Sequence, residues 1–598
     1  LPEHAIWVGC QPVLDKLFPE IDFNFRHPEE ILIAANENHL VVAGRDVWDR
    51  ERIVTYGHPR RGRIPGAQAE FGTVNAVYTF LRDWLDVRWL WPGETGTDII
   101  PKERIAFEPF EYRYHPQFRG RSGVLVASMP TTLQGYAHTD WSRVQRVFFD
   151  SLYGYPGGSG GHGFNDWWDR FHESHPEFFA LQPDGTRSGY PGPGRQKMCQ
   201  NNPGVWEQWL ADVEARIEEN PNVILFAAGI SDNHPQGHCV CENCRAWDEP
   251  DAPPRRLMWQ GLSQEYVSLS DRDVRFANEL ARLLRERFPT RDDYSVSILA
   301  YGAPTLEPPI KAVPDEKIVV AYVGNVGSVD RNCPDGTTTV DEQIAGWAAT
   351  GAKIIFRPNW GGIANDLTRG QMPAVFFGEA MELFRFWAEH NGIGVYIDWL
   401  NEAWPTQGPL YYLLAHLAWD PYADGYAILD DYYRRGFGPA HEQLKAYWTF
   451  MEDTRNARVA AGLSHDIGWR APGSSVYDEG FFRYAGGLLD EAETLLAAGP
   501  DIYRRRLAHV RAGLEFTRLM VDTANHWDRY IKSKKRDEEA AARVRANWEE
   551  IMPIARRQMI YQPRLNSTRN DMHPDGEFGL RDWKAPGDGR LNEFDRVP

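Results

Sequence analysis

VILFAAGISDNHPQGHCVCENC, residues 223–244, begins as an unbroken apolar run, turns polar at Ser231-Asp232-Asn233 and ends with three cysteines in six positions. A strand that is apolar at consecutive positions buries both faces, as parallel strands covered by helices do, whereas a half-exposed strand alternates. The polar switch marks the C-terminal end of that strand. The same signature recurs at GVLVAS (123–128), YSVSILAYG (294–302), IVVAYVGNVGS (318–328), KIIFRPNW (353–360) and GVYIDWL (394–400). Shorter candidates at GGHGF (160–164) and KMCQNN (197–202) bring the set to eight.

The intervening segments VWEQWLADVEARIEE, RDVRFANELARLLRERF, VDEQIAGWAAT and VFFGEAMELFRFWAEH carry apolar stripes at helical spacing. Eight strand–helix units within residues 116–420 predict an α/β protein built on a (β/α)8 TIM-like barrel, with its chemistry at the C-terminal ends of the strands. Residues 1–115 alternate short β-rich runs with one helical pattern, in which Val74, Val77, Tyr78, Leu81 and Leu85 share a face, and read as a small α/β domain. Residues 421–562 are helical in pattern and predict an α-helical domain. Residues 563–598, rich in Asn, Asp, Gly and Pro, have no periodicity and read as an irregular tail.

A chain of 598 residues with a net charge of −19 offers no basic stripe for a phosphate backbone, which argues against nucleic acid as a partner. No stretch approaches eighteen uncharged apolar residues, so no membrane span is expected. The 23 Trp, 25 Tyr and 29 Phe, with 53 Gly and 41 Pro in many turns, are the balance of a loop-bearing enzyme. The numbering opens at Leu1 with no initiator Met and no leader-like segment, which gives the expectation of a removed leader and a periplasmic or secreted protein. Oligomeric state is not legible in periodicity.

In a barrel the polar residues at strand ends decide the chemistry. They are Asp232, Asn233 and His234 after the run at 223; Tyr301; Arg357, Asn359 and Trp360; and Asp398 with Glu402. Earlier strand ends bring His162, Asn201, Asn202 and Arg121, and Trp404 follows the last. Carboxylates, amides and aromatic rings, with no phosphate loop and no Ser-His-Asp order, suit sugar hydrolysis: two acids flank the glycosidic bond, amides bind hydroxyls and rings stack on pyranose faces. Asp232 is the expected general acid and Asp398 or Glu402 the second carboxylate, with Tyr301, Trp360 and Trp404 as sugar platforms. The blander readings are that Asp232 caps a turn or pairs with Arg357, and that Asp398 and Glu402 sit in structural ion pairs. The rival functions are a uronate-specific polysaccharide lyase, a catalytically inactive carbohydrate-binding protein and a zinc-dependent hydrolase. No cofactor is expected for the hydrolysis itself.

Cys239, Cys241 and Cys244 form C-x-C-x2-C, and Cys199 ends the neighbouring predicted strand. Four thiolates could hold a structural zinc, four thiols in an oxidising compartment could form two disulfides, and buried free thiols are the third reading.

The segment GTVNAVYTFLRDWLDVRWLWPGETGTDIIP (72–101) resembles the small α/β domain that precedes the barrel in bacterial β-hexosaminidases and α-glucuronidases. HPEFFALQPDGTR, KMCQNNPGV, SDNHPQGHCVCENC and GPLYYLLAHLAWDP are together similar to a large bacterial domain-of-unknown-function group that includes endo-β-N-acetylglucosaminidases of glycoside hydrolase family 163. The resemblance implies a glycan substrate of N-acetylhexosaminide or uronide type. In the hexosaminidase relatives an Asp-Glu pair ends the fourth strand; here that place reads Asp232-Asn233, and an amide cannot donate a proton as a carboxylic acid does. The α-glucuronidase relatives place their carboxylates on separate strands. That arrangement implies Asp232 facing Asp398 or Glu402, with Arg357 or Arg121 forking onto a uronate carboxylate.

Overall fold

The computed structural model describes residues 2–54, 64–122, 141–147, 162–219, 223–231, 236–324, 339–358, 373, 375–397, 403–460, 477–558, 560, 569 and 572–575. At the N-terminal end, β1 (Ala5–Val8), β2 (Ile31–Ala35) and β3 (His39–Gly44) join a strand at Phe110–Tyr114 in the order β1, β3, β2, Phe110–Tyr114. Strand alternation divides the central pair between two cores. Ile31, Ile33, Leu40 and Val42 face Ala76 and Phe80 of helix α1 (Gly72–Asp83), whereas Leu32, Ala34, Val41 and Ala43 face Leu14 and Phe18. Gly72 lets the helix begin against the sheet edge, because a Cβ there would lie 2.3 Å from the Arg45 nitrogen.

The second sheet is parallel throughout. Its order is β4 (Leu225–Ala227), β5 (Ser295–Ala300), β6 (Ile318–Tyr322), β7 (Lys353–Phe356), β8 (Gly392–Tyr396) and then the strand Gly120–Ser122. The first of these strands in the chain therefore lies beside the last, as a ring requires and an open doubly wound sheet does not. The result is a curled parallel half-barrel. His162 extends it by one position beyond β4, through a parallel bridge to Gly229. Gly163 is what lets it approach so closely, since a Cβ there would stand 2.5 Å from the Ala227 carbonyl oxygen. The expected strand 123–128 lies outside the described residues.

Both faces of these strands are apolar, as the unbroken runs require. Val296, Ile298, Ile318, Val320, Ile354 and Phe356 point into the core shared with the covering helices. Leu225, Val319 and Ile355 gather on the other face with Ile393 and Tyr396, and Leu299, Ala321 and Val323 gather there with Tyr301. Helices Pro203–Glu219, Ser270–Arg287, Val340–Ala349 and Phe377–Glu389 occupy the segments where stripes predict them.

Two segments differ from the sequence reading. KMCQNN does not join the parallel sheet: Met198 instead bridges Phe179 antiparallel, with Cys199 N–H donating to the Phe178 carbonyl at 2.8 Å. Its cysteine is drawn into a separate small core with Ala180, Cys239 and Cys244. A hairpin, Pro254–Trp259 with Leu262–Val267, was not expected, and its turn rests on positive φ at Gln260 and Gly261.

Helix Trp404–Trp419 is buried along its whole length. The helices Gly425–Phe437, His441–Ala460, Glu479–Leu496, Asp501–Lys532 and Glu538–Arg557 follow it. Among the described residues no helix is long and apolar enough to cross a membrane.

Candidate functional site

Parallel strands in one sheet end on one rim, and inward-facing positions just past those ends form a common floor. Tyr301 follows β5 and is half-buried beside Leu299, Ala321 and Val323. Arg357 follows β7; its N–H still donates to the Tyr322 carbonyl at 2.8 Å, so the strand geometry persists one residue further. Its guanidinium stands 5.4 Å from the centre of the Tyr396 ring, which turns a cationic fork and an aromatic face toward the same rim. Ser231 follows β4, is buried, and its carbonyl accepts from Lys197 Nζ at 2.6 Å. His162 lies alongside with Nδ1 2.7 Å from the Ile230 carbonyl oxygen. A carbonyl only accepts, so this contact puts the proton on Nδ1 and fixes the ring's orientation.

Other expected site residues serve elsewhere. Arg121, 2% exposed, donates from Nε to the Arg146 carbonyl at 2.7 Å, from Nη1 to the Phe118 carbonyl at 2.6 Å and from Nη2 to Glu29 at 2.7 Å. With its fork spent on protein acceptors, it joins the Gly120–Ser122 strand to the N-terminal sheet and leaves no arm for a uronate. Trp404, 1% exposed, meets Trp141 and Tyr411 edge to face at 4.9 and 5.0 Å, and is core rather than platform. Asn201 donates to the Asn243 carbonyl at 2.7 Å. Asn202 donates to the Glu177 carbonyl at 2.9 Å, and its Oδ1 accepts from Gly204 N–H at the start of helix Pro203–Glu219. Both asparagines fasten loops. Asp232, Asn233, His234, Asn359, Trp360, Asp398 and Glu402 lie outside the described residues.

The four cysteines do meet. Cys199, Cys239, Cys241 and Cys244 place their sulfurs within 4.8 Å of one another, the first, second and fourth buried. Cys199 Sγ is 3.7 Å from Cys241 Sγ and 3.8 Å from Cys244 Sγ. Hydrogen bonds from the thiols of Cys199 and Cys241 bring Cys239 down to about 7. Donation to Cys239 pushes Cys199 and Cys241 up to about 12, and donation to Cys199 does the same to Cys244.

Sequence reasoning missed Asp273. It sits in the first turn of helix Ser270–Arg287, enclosed, with Oδ1 accepting from Gln200 Nε2 at 2.5 Å, and burial holds its carboxyl up at about 6. Two aspartates in one helical turn, at Ser270-Asp271-Arg272-Asp273, were the available signal. Asp271 uses it as a cap would, accepting from the backbone N–H groups of Ile310, Lys311 and Ala312 at 2.9, 2.9 and 2.7 Å.

No curated protein matches the chain. Residues 91–449 match the family described as Domain of unknown function (DUF4838). Among solved structures, a family 89 glycoside hydrolase from Clostridium perfringens, in complex with its substrate GlcNAc-α-1,4-galactose, aligns at 10% identity with a TM-score of 0.50. That alignment covers 92% of this chain and 65% of the other. A chitobiase from Flavobacterium johnsoniae aligns at 10% identity with a TM-score of 0.34, over 88% of this chain and 84% of that one. The first of these is a likeness of fold.

Proposed function

We propose, given that this chain belongs to the family described as Domain of unknown function (DUF4838), that it is a glycoside hydrolase working at the rim of a (β/α)8 barrel, of which the half-barrel is the described part. The observation that carries the reading is the single polarity of the parallel sheet. β4 and β8 run the same way, and in the sequence Asp232 follows the end of β4 by five residues, while Asp398 and Glu402 follow the end of β8 by two and six. Asp232 is the general acid; Asp398 or Glu402 is the second carboxylate. Acids from separate strands can flank one glycosidic bond, and the anomeric form first released reports whether the second acts on a water or on the sugar itself. Tyr301 and Trp360 are the stacking surfaces, Asn233, His234 and Asn359 reach sugar hydroxyls, and Arg357 beside Tyr396 receives an anionic or hydroxyl-rich sugar. The substrate class is an N-acetylhexosaminide or a uronide, and the family 89 neighbour's complex with GlcNAc-α-1,4-galactose supports the first. An endo-β-N-acetylglucosaminidase activity of the family 163 kind is the narrower form of this proposal.

A catalytically inactive glycan-binding protein is the second reading, favoured by Asn233 standing where the hexosaminidase relatives carry a glutamate. A panel of aryl glycosides and natural glycans, read by sugar release, separates the two. Hydrolysis releases reducing sugar from at least one class, whereas glycan binding without release supports the binding protein and ends the hydrolase assignment.

A further inference from the structure

We propose that Cys199, Cys239, Cys241 and Cys244 bind one zinc ion through all four sulfurs, in a closed structural site that fastens Ser231 after β4 and the chain at Gly237–Val240. The inference stands apart from the glycosidase reading, because it concerns what the thiols hold.

The spacing carries it first. A tetrahedron with metal–sulfur bonds of about 2.3 Å has edges of about 3.8 Å. The separations from Cys199, 3.7 and 3.8 Å, match that edge, and the whole set fits within 4.8 Å. Disulfides would give each sulfur one partner at about 2.05 Å. Cys199 instead stands almost equally far from two partners, as a corner does.

The surroundings carry it second. Backbone N–H groups of Leu181, Cys244 and Asn201 donate to the sulfurs of Cys239, Cys241 and Cys244 at 3.2, 3.4 and 3.5 Å. Such donors stabilise thiolate and are what orients metal-bound sulfur. Two arginines approach the cluster: Arg187, whose Nη1 donates to the Phe179 carbonyl next to Ala180 of this small core, and fully buried Arg272, which donates to the Cys239 carbonyl at 2.9 Å while forking onto Asp248. Four thiolates around a divalent ion leave two negative charges, and cations beside them lower the cost of burial. Packing alone offers little, since the only apolar neighbours in this small core are Ala180 and Leu181 among the described residues.

The placement says what the ion does. Lys197, two residues before Cys199, holds the Ser231 carbonyl at the end of β4. Gln182 donates to the Gly237 carbonyl at 3.1 Å, and Val240 N–H to the Leu181 carbonyl at 3.0 Å. Ser231 and Gly237, described residues on either side of Asp232 in the sequence, are thereby both held by elements that converge on the four sulfurs. Because all four ligands come from the protein, no position is left for a water, and the ion's work is mechanical.

Metal analysis of the full-length chain, purified without chelator, tests this. One zinc per chain is expected, falling to none in Cys239→Ser and Cys244→Ser. Should those variants fail to fold, the wild-type chain still decides: cobalt(II) exchanged into it gives the intense visible bands and sulfur-to-metal charge transfer of a tetrahedral tetrathiolate. Zinc removal should also raise hydrogen exchange at 225–231 and 236–244 while 318–322 stays protected, a readout indifferent to whether any sugar is cleaved. A chain that carries no zinc, or whose four cysteines alkylate freely or prove disulfide-linked in the native state, overturns the proposal.

Discussion

Asp273 shows what one enclosed carboxyl does to pH dependence. Its carboxyl titrates near 6 in the folded chain against 3.8 when exposed. Between those values the native state keeps a proton that the unfolded state has released, so stability falls as pH rises through that window and stays lower above it. The difference amounts to about 2–3 kcal/mol. Asp273→Asn keeps an acceptor for Gln200 and removes the ionisation. Urea unfolding should find the variant more stable than wild type at pH 8 and nearly equal at pH 4. At this scale the sequence was least legible. Strand proximity selected Arg121 and Trp404 as rim residues, but depth below the rim is set by what packs above a side chain. For Arg121 that is the Trp419 ring, 5.2 Å from its guanidinium, a neighbour 298 positions away in the chain.

The meeting of the His162 segment with β4 is a matter of one missing side chain. Gly163→Val places new atoms where the Ala227 carbonyl already sits, an overpacking that costs about 1–3 kcal/mol. The bridge to Gly229 should open, which a lowered denaturant midpoint and faster hydrogen exchange of the position 163 amide would register; unchanged values would mean that the segment is not held there. Elements were legible where burial is two-sided, because runs such as Ile318–Tyr322 have no other place in a parallel sheet. KMCQNN misled because Met198 and Cys199 are as apolar as a strand, yet they serve two different cores, Met198 the main one and Cys199 the small one built of thiols. The Pro254–Trp259 hairpin escaped because its buried face begins with Arg255, whose charge is matched by Glu307 at 2.7 Å.

The N-terminal sheet and the parallel sheet are joined by a buried ion pair and by two cations over one aromatic ring. Arg121 pairs with Glu29 across the junction of the two sheets, and Arg121 and Arg146 both lie over Trp419, which also packs under the N-terminal sheet. Arg121→Met leaves Glu29 buried and unmatched and should cost about 3–5 kcal/mol, much of it recovered by adding Glu29→Gln. A loss below ~1 kcal/mol would mean that water reaches Glu29 and the junction is looser than its geometry. The α/β class and the curled parallel half-barrel were legible at this scale because strand polarity and strand order follow from burial pattern and chain sequence together. The substrate was not, since loops beyond the strands set the shape of the pocket. The central claim is that acids at the ends of parallel strands cleave a sugar bond, and the most direct measurement is the turnover of Asp232→Asn on whichever glycan the wild-type chain hydrolyses, at matched thermal stability. The account predicts a fall of at least ~100-fold, the usual share of a general acid. Turnover within a few-fold of wild type would contradict it.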